Sequence, residues 1–404
     1  MAWDWTHVRM SGPLEAYAAG FAAELERLGY TTNSTADQVR LFAHLSRWLA
    51  ENGLGGDQLT AAVQTAFLAR RRAAGYTLWL SPKALVPMMA HLRRIGVAPP
   101  EPVVPMSPTE ELLERYRRYL TLERGVTPTT AAGYIHTVRP FLEKRRCRNG
   151  APDLSGLTAR DITEHVRADI VARSPRSAKL VVTALRSLLQ FLHLAGILDR
   201  PLSSAVPKVP NIRLAGLPRG LEPDQVEKLL GSCDRHTAVG QRDFAVLTVL
   251  IRLGLRAGEV VALELGDVDW RGGELIVRGK GNRQERMPLP IDVGRAIAGY
   301  LRGGRPTTES RNVFLRVRAP HGALSRNGIS AIVIGAAVKA GLPPIRAHRL
   351  RHTAATAMLR NGASLAEVGQ VLRHRRLQTT AIYAKVDRVA LRQVARPWSG
   401  GRTA

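Results

Sequence analysis

The sequence predicts a mainly α-helical protein that ends in an α+β domain with a small antiparallel sheet. Apolar residues recur at helical spacing through residues 14–95. Between residues 107 and 175, pairs of a capping residue and a proline mark the starts of further helices. Two short strand-like segments then flank Gly279-Lys280-Gly281-Asn282, which is typical of a hairpin turn.

Residues 1–105 are predicted to form a helical N-terminal extension. Leu41, Leu45, Trp48 and Leu49 repeat at a helical interval, and no residue pattern in this part indicates chemistry. The run APPEPVVPMSP that follows holds five prolines and lacks a helical period. Such a run is a semi-rigid linker, so a domain boundary is expected near residue 105.

Residues 106–200 are predicted to form a second helical domain of about four helices. Ser107-Pro108-Thr109-Glu110 combines an N-cap, a proline at the first helical position and a capping-box glutamate. The same signal, complete or in part, recurs at Thr127-Pro128, Thr158 with Asp161, and Ser174-Pro175. The last of these helices is expected to end at Gly196.

Basic side chains cluster along this second domain. Any one of them fits a solvated helical surface, but their clustering favours a face that grips phosphate groups. The predicted DNA contacts here are Lys144, Arg145, Arg146, Arg148, Arg173, Arg176 and Lys179.

Residues 201–220 contain four prolines and are predicted to form a second linker. Together with Arg200 they have the sequence RPLSSAVPKVPNIRLAGLPRG. Residues 221–404 then form the mixed α+β domain. Strands are predicted at 274–278 and 285–289. Helices are predicted at 223–231, 241–254, 291–302, 326–340, 347–361, 364–372 and 377–384.

The charge of the chain indicates a polyanionic partner. Its formal net charge is +26 over 404 residues. Residues 1–105 carry 10 Lys/Arg against 8 Asp/Glu, whereas residues 106–404 carry 49 against 25. Double-stranded DNA is therefore the expected partner, and the basic function is expected to begin near residue 106.

Cysteine usage and hydropathy predict the compartment. Cys147 and Cys233 can form no disulfide framework and lack metal-ligand spacing, which suits a reducing cytoplasm. The sequence has no basic segment followed by an apolar export signal, and no run of 18 apolar residues. A cytoplasmic protein that needs no metal or other cofactor is expected.

Two basic residues of the last domain are candidates for handling a phosphodiester. Arg256 follows the break of an apolar helix at Gly254, so its guanidinium is expected beside a new helix start. Lys280 lies at the tip of the hairpin, from which an ammonium can donate a proton to a departing hydroxyl. Taken alone, each also fits an ordinary surface side chain.

The segment His348-Arg349-Leu350-Arg351-His352 opens a helix after two prolines. Helical spacing places His348 and Arg351 on one face, where an imidazole and a guanidinium form a phosphate clamp. His348 and His352 also have the i, i+4 spacing of zinc-binding helices. The zinc interpretation lacks its general base, because Arg349 occupies the glutamate position, and no carboxylate cluster lies nearby.

Further along the chain lies Leu372-Arg373-His374, and Tyr383 follows His374 by nine residues. A lone tyrosine on an amphipathic helix is usually a packing residue. The order of Arg256, Lys280, His348, Arg351, His374 and Tyr383 along the chain raises the odds of a shared site.

Residues 220–385 resemble the catalytic domain of the tyrosine recombinases, or phage integrases. The resemblance lies in the segments GLRAGEV, VRGKGNRQERMPLP, HRLRHTAATAML and LRHRRLQTTAIYAK, which occur in family order and at family-like spacing. Residues 108–196 resemble the helical core-binding domain of the family by position and helix pattern. The expected architecture is therefore an N-terminal helical extension, a core-binding domain and a tyrosine-recombinase catalytic domain.

The resemblance implies a role for each candidate residue. Tyr383 is the nucleophile that attacks the scissile phosphate and leaves a 3′-phosphotyrosyl bond. Arg256 and Arg351 hold the non-bridging oxygens, and Lys280 protonates the departing 5′-oxygen. His348 and His374 supply hydrogen bonds and proton handling, and Glu259 orients Arg256. Neither metal nor ATP is required, and four protomers assemble on two duplexes, with companion recombinases or accessory proteins as further partners.

Two features depart from the family pattern. The family usually has small residues around its second histidine, whereas Arg373, Arg375 and Arg376 flank His374, so either these arginines contact DNA or the site is altered. Arg283, Arg373 and Arg375 are accordingly added to the predicted DNA contacts. The N-terminal extension is nearly neutral, which favours a role in protein contacts or assembly.

Other interpretations remain open from the sequence. A type IB topoisomerase shares the chemistry, and a catalytically silent DNA-binding protein can keep the fold. A metal-dependent nuclease is a third alternative. The DNA site and the natural event, whether integration, excision, transposition or resolution, are left undetermined.

Overall fold

The computed structural model describes most of the chain. It covers residues 5–101, 105–148, 150–171, 173–208, 220–279 and 284–373, with Thr380 and Tyr383, and leaves out the side chains of Pro175 and Arg176. By residue proximity the chain forms two compact units. The first joins Met1–Pro100 to Gly216–Ala404, and the second is Glu101–Ala215.

Four α-helices make up the N-terminal part of the first unit. Their shared core includes Phe21, Phe42, Leu45 and Leu85, which are fully buried. The helices are α1 (Ala18–Arg27), α2 (Thr32–Glu51), α3 (Ala61–Ala73) and α4 (Pro82–Arg94). The residues of this core all lie between Trp5 and Ala98, so the N-terminal part has a hydrophobic core of its own.

The second unit is also helical, and its helices begin where the cap and proline signals predict. Ser107 Oγ accepts a hydrogen bond from Glu110 N, and Thr158 forms a capping box with Asp161. Tyr116 and Phe141 are fully buried in its core. The helices are α5 (Pro108–Arg118), which continues as a π turn (Tyr119–Glu123), α6 (Pro128–Glu143), α7 (Ala159–Ile170) and α8 (Pro175–Leu194).

The C-terminal part of the first unit combines helices with a small sheet. Its helices are α9 (Pro223–Gly231), α10 (Ala238–Arg252), α11 (Ala257–Val261), α12 (Ile291–Gly303), α13 (Arg326–Lys339), α14 (Ala347–Arg360) and α15 (Leu365–Val371). The strands β1 (Val268–Asp269), β2 (Glu274–Arg278) and β3 (Gln284–Pro288) form an antiparallel sheet in the order β1-β2-β3. In its register Leu275 pairs with Met287 and Arg278 with Gln284.

Helix α10 is the centre of this part. It packs against α12 and α14, and α11 packs against α13. Val246, Leu247, Val249 and Leu250 of α10 are fully buried, so the helix is enclosed almost all round. A helix of this kind is a rigid support for the residues that follow its last turn.

The two parts of the first unit are joined by a backbone contact. His321 N donates a hydrogen bond to Leu28 O, just after α1, at 2.9 Å. Gly29 has a φ of +85°, and a Cβ at this position would lie 1.9 Å from the His321 ring. A glycine is thus required where the N-terminal helices approach the loop before α13.

The predicted fold class is confirmed by these elements. The helices predicted at 223–231, 291–302 and 326–340 agree with α9, α12 and α13 to within one residue at each end. The strands also match, with β3 starting one residue earlier than predicted. The predicted helix at 377–384 lies largely outside the described residues, and the four-part domain division stays a prediction.

Gly254 provides a test of how the end of α10 is built. Its φ is +59°, and a Cβ there would lie 2.6 Å from Leu372 Cδ2. We expect Gly254→Ala to lower the free energy of unfolding by about 2–5 kcal/mol, since a left-handed conformation costs an L-residue about 1–2 kcal/mol and overpacking adds about 1–3 kcal/mol. Urea denaturation followed by circular dichroism measures the change.

Gly341→Ala is the matched control for this prediction. Gly341 has a φ of +67°, and a Cβ there would meet nothing within 4 Å. This variant therefore reports the backbone cost alone. A Gly254→Ala protein no less stable than Gly341→Ala would contradict the proposed contact with Leu372.

Candidate active site

The turn after α10 positions the first candidate arginine. Gly254 reverses the chain in a left-handed conformation, and Arg256 then becomes the N-cap residue of α11. Glu259 Oε2 accepts a hydrogen bond from Arg256 N at 2.9 Å, and Oε1 accepts one from Arg256 Nη1 at 2.6 Å. Glu259 therefore holds both the backbone and the guanidinium of Arg256 by hydrogen bonds.

Glu259 also pairs with a second arginine. Arg373 Nη2 donates to Glu259 Oε2 at 2.7 Å, and the side chains of Arg373 and Glu259 are 7% and 4% exposed. Burial by itself raises the pKa of Glu259, but the charge of Arg373 and the hydrogen bonds from Arg256 outweigh it and hold that pKa below its ordinary value. The carboxylate is thus ionised and shared by two guanidinium groups.

Arg351 lies on α14 and is 2% exposed. Its Nη1 donates to Gly254 O at 2.6 Å, and its Nη2 donates to Leu372 O. Burial, followed by the charge of Arg256, lowers the pKa of Arg351 to about 10, so the guanidinium stays protonated at neutral pH. Arg351 joins the turn before Arg256 to the end of α15.

The tyrosine hydroxyl lies against the same helix. Tyr383 is 2% exposed and packs with Ala355, Leu359 and Val368 of α14 and α15. Its hydroxyl is 2.8 Å from Nδ1 of His352. Burial raises the pKa of Tyr383, with the charge of Arg351 opposing the change, so the phenol is protonated at neutral pH.

His348 and His352 occupy successive turns of α14. Their ring centroids are 4.4 Å apart in an edge-on arrangement, and His348 is exposed. Burial, then the neighbouring His348 and Arg351, lowers the pKa of His352 to about 4. His352 is therefore a neutral imidazole at neutral pH and can accept a proton from the phenol.

The structure thus brings together Arg256, Glu259, Arg351 and Tyr383, with His348 one turn from His352. His352 was missed as a functional residue by the sequence analysis, which weighed it only as a zinc ligand. The available signal was its i, i+4 spacing from His348 on a predicted helix, which places the two imidazoles on one face.

Arg373, which the sequence analysis predicts as a DNA contact, is buried in this structure, and its contact with DNA stays a prediction. Its side chain is 7% exposed, and its guanidinium is directed at Glu259. The second explanation offered by the sequence, an altered site, fits the observed position. The buried carboxylate of Glu259 is the physical reason, because a buried charge is stabilised by charged, hydrogen-bonded partners.

Four of the predicted site residues lie outside the described residues. They are Lys280, Arg283, His374 and Arg375. The strands that flank the hairpin, β2 and β3, are described, and so is Arg373. The predictions for these four residues stand as predictions.

The predicted DNA contacts of the second unit differ in exposure. Lys144, Arg146, Arg148 and Lys179 are exposed. Arg145 lies over the ring of Phe141, with 4.5 Å from Cζ to the ring centroid. Arg173 is exposed and forms an ion pair of 2.8 Å with Asp169, and the side chain of Arg176 is not described. Their contact with DNA stays a prediction.

The described part of the chain offers no group of three or more His, Cys, Asp and Glu side chains that is placed to hold a metal ion. The zinc alternative would use a ring nitrogen of His352, and Nδ1 of that ring is engaged with Tyr383. Across the described helices, none is both long and apolar enough to span a membrane.

Comparison with known proteins identifies the family. Residues 219–389 match the phage integrase family. The chain is 41% identical over 397 residues to the integrase/recombinase-type protein y4rA of Sinorhizobium fredii, which covers 96% of this chain and 95% of that protein. It is 33% identical over 291 residues to the tyrosine recombinase XerD of Listeria monocytogenes, covering 70% of this chain and 97% of that protein.

Solved structures share the fold. The recombinase XerH in its post-cleavage complex with palindromic difH superposes with a TM-score of 0.56 at 19% identity, over 72% of this chain and 97% of that chain. A lambda integrase dimer bound to a COC′ core site superposes with a TM-score of 0.52 at 17% identity. The superposition covers 67% of this chain and 96% of that chain. The chain belongs to the phage integrase family of tyrosine recombinases. It is a site-specific DNA recombinase.

The contrast between Arg351 and Arg256 gives a stability prediction. Arg351→Gln leaves two buried carbonyl oxygens, of Gly254 and Leu372, without their donors. Each buried unsatisfied group costs about 1–3 kcal/mol, so we expect a loss of about 2–6 kcal/mol in the free energy of unfolding. Urea denaturation measures it.

Arg256→Gln is the control. The side chain of Arg256 is 46% exposed, and Glu259 keeps its bond to Arg373 when Arg256 is replaced. A smaller loss than in Arg351→Gln is expected, because Arg256 is half-exposed and Glu259 keeps Arg373 as its buried charged partner. Equal losses in both variants would show that the buried hydrogen bonds of Arg351 do not support the fold.

Proposed function

We propose that this recombinase cuts and rejoins double-stranded DNA through a covalent bond between Tyr383 and a 3′-phosphate. The phenol oxygen attacks the scissile phosphorus, the bond to the 5′-oxygen breaks, and a free 5′-hydroxyl leaves. The observation that carries the proposal is the Tyr383 hydroxyl 2.8 Å from His352, on the helix that also holds Arg351. The phosphotyrosyl bond conserves the energy of the broken bond, so rejoining requires neither ATP nor a metal.

The proton transfers follow from the site residues. His352, neutral at pH 7, accepts the phenol proton through Nδ1 as the oxygen attacks. Lys280 donates a proton to the departing 5′-oxygen, as the family resemblance implies. His348 and His374 hydrogen bond to the phosphate oxygens and support these transfers. One proton is taken up by the enzyme and one is released in each direction, so the chemistry is balanced and reversible.

Arg256 and Arg351 hold the non-bridging oxygens of the phosphate. A guanidinium has five N–H donors. Arg351 uses donors on both Nη atoms for the carbonyls of Gly254 and Leu372. Arg256 is the more accessible of the two, with its side chain 46% exposed, and makes the first contact with the phosphate.

The described arrangement is a resting one. Tyr383 and Arg351 are each 2% exposed, so a phosphodiester cannot reach either side chain without a rearrangement. Binding at a recombination site supplies the contacts that stabilise the rearranged form, because a ligand shifts a conformational equilibrium by its differential affinity. Attack by Tyr383 therefore follows DNA binding.

The partners follow from charge and from the relatives. The chain carries a net charge of +26, concentrated after residue 105. The solved relatives include a lambda integrase dimer on a core site and a lambda integrase tetramer bound to a Holliday junction. A tetramer of this chain on two duplexes, in the cytoplasm and with companion recombinases or accessory proteins, is the proposed working assembly. Integration or transposition of a mobile element is the proposed event.

The nucleophile is tested by covalent trapping. A nicked suicide duplex carrying the ends of the element that encodes the chain is incubated with protein in the presence of a chelator. We expect a covalent 3′-linked adduct with the wild type and none with Tyr383→Phe, because the variant lacks the attacking oxygen. Denaturing gel electrophoresis detects the adduct.

Tyr300→Phe is the matched control for this experiment. It also removes a fully buried hydroxyl, which accepts a hydrogen bond from Leu315 N, and it is expected to keep the adduct. An adduct that persists in Tyr383→Phe would exclude Tyr383 as the nucleophile. Relaxation of plasmids without any specific site would favour a topoisomerase activity, and binding without an adduct at genuine sites would favour a silent DNA-binding protein.

The role of His352 predicts a pH dependence. Its pKa of about 4 in the folded protein lies below the ordinary value of 6.5, so the base is present at neutral pH and is lost as pH falls through 4. The cleavage rate at subsaturating DNA, which reports the free enzyme, is expected to fall in that range. His352→Gln is expected to lower the rate by about 100-fold at neutral pH, as general bases contribute about 100-fold or more.

The control is protein stability over the same pH range, since unfolding would also lower the rate. Stability is expected to decline as pH falls from about 6.5 towards 4, because the unfolded state binds the proton more tightly. Rates are therefore compared only where both proteins remain folded. An unchanged rate in His352→Gln would remove His352 as the proton acceptor.

A further inference from the structure

Arg373 adopts a backbone conformation that rarely suits an arginine. Its φ is +53°, in the left-handed region that favours glycine. Among the described residues, the other non-glycine residue with a positive φ is Trp79, in the N-terminal helical part. The left-handed conformation costs an L-residue free energy that it does not cost a glycine. The side chain of Arg373 is therefore expected to make contacts that offset this cost.

The contacts of that side chain connect three separate segments. Arg373 lies just after α15, its Nη2 donates to Glu259 of α11 at 2.7 Å, and its Nη1 lies 3.4 Å from the sulfur of Met287 on β3. Nη1 also donates to Val371 O at 3.2 Å. Nε is buried without a hydrogen bond, 4.0 Å from a carboxylate oxygen of Glu285 on β3. The guanidinium is therefore held in one place by α11, α15 and the edge strand.

The shared carboxylate links Arg373 to Arg256. Glu259 places Oε1 on the guanidinium of Arg256 and Oε2 on that of Arg373. If Glu259 had Arg256 as its sole charged partner, the pair would be neutral, and the attraction of Arg256 to a phosphate would be largely cancelled. With Arg373 present, the negative charge of Glu259 is compensated from the buried side, and Arg256 keeps a net positive field towards its exposed side.

Counting charges gives the same result. Arg256, Arg351 and Arg373 contribute three positive charges and Glu259 contributes one negative charge, so these four groups have a net charge of +2. The carboxylate of Glu285, 4.0 Å from Arg373, is 49% exposed, so solvent and salt screen its charge. A phosphodiester carries one negative charge, and a second develops on its oxygens when a fifth oxygen attacks the phosphorus. A net charge of +2 matches the attacked phosphate better than the ground state, which is the condition for acceleration.

We propose that Arg373 is a positioning residue that acts through Glu259, keeping Arg256 available to the phosphate and raising the positive charge of the site by one. This inference rests on the proposed function, because it assigns Arg256 to the phosphate. Arg373 itself touches neither the phosphate nor Tyr383. Its effect is on the step in which negative charge develops, rather than on the binding of duplex DNA.

The test compares Arg373→Gly and Arg373→Lys with the wild type. Single-turnover formation of the covalent adduct is measured at saturating suicide duplex, and DNA affinity and thermal stability are measured on the same proteins. Arg373→Gly relieves the backbone strain but removes a buried partner of Glu259, so we expect lower thermal stability and unchanged affinity for DNA. Rates are therefore compared at a temperature at which all the proteins remain folded. Adduct formation is expected to slow by about 10-fold to 100-fold. Arg373→Lys, which restores the charge, is expected to recover most of the rate.

A second substrate separates charge from structure. A methylphosphonate at the scissile position removes one negative charge from the attacked phosphorus group. The defect of Arg373→Gly is expected to shrink on this substrate, because less charge has to be compensated. Arg360→Ala is the matched control, since it removes an arginine paired at 2.9 Å with Glu222 at the far end of α14, and it should react like the wild type on both substrates.

Several results would overturn the inference. The inference is overturned if Arg373→Gly forms the adduct at the wild-type rate. It is also overturned if the rate defect of Arg373→Gly is equal on the phosphate and methylphosphonate substrates. Failure of Arg373→Lys to recover any rate, at normal stability, would exclude a role for the charge. Tyr383→Phe, run in parallel, identifies the other failure: if the wild type forms no adduct that depends on Tyr383, the proposed function falls and the inference falls with it.

Discussion

The candidate active site depends on the hydrogen bonds that Arg351 makes with two backbone carbonyls. Gly254 O belongs to the turn that presents Arg256, and Leu372 O belongs to the segment that leads into Arg373. A buried guanidinium without such partners would be costly, because its charge has left water. By satisfying it with backbone rather than with a carboxylate, the fold keeps its full positive charge within the site. The same two bonds fix the distance between segments that are about a hundred residues apart in the sequence.

Glycine geometry and helix ends make this arrangement possible. Gly254 lets α10 stop sharply, so that Arg256 can cap α11 one step later. Because α10 is enclosed by α12 and α14, the turn stands on a rigid support. The hydrogen-bonding groups that a helix end leaves unpaired are used here by Arg351 and Glu259, so the ends of helices serve both stability and the site.

Much of the fold and part of the site could be predicted from the sequence. Capping residues and apolar periodicity act over a few residues, so Ser107 and Thr158 mark helix starts correctly. The link from Glu259 to Arg256 is also local. The position of Arg373 could not be predicted, because its partner lies 114 residues away and its φ depends on packing. The bond between His352 and Tyr383 was missed for the same reason, since it joins residues 31 apart through the folding of α15 against α14.

The burial of Tyr383 has a consequence for how the protein meets a genome. A chain with a charge of +26 associates with any duplex, and almost all such encounters occur at sequences of no relevance to it. Tyr383 is 2% exposed, so under the proposed function those encounters meet no accessible nucleophile on the protein surface. Searching and cutting are thereby separated by a structural step rather than by affinity alone. The chromosome can be scanned at length by a strand-breaking enzyme without accumulating nicks.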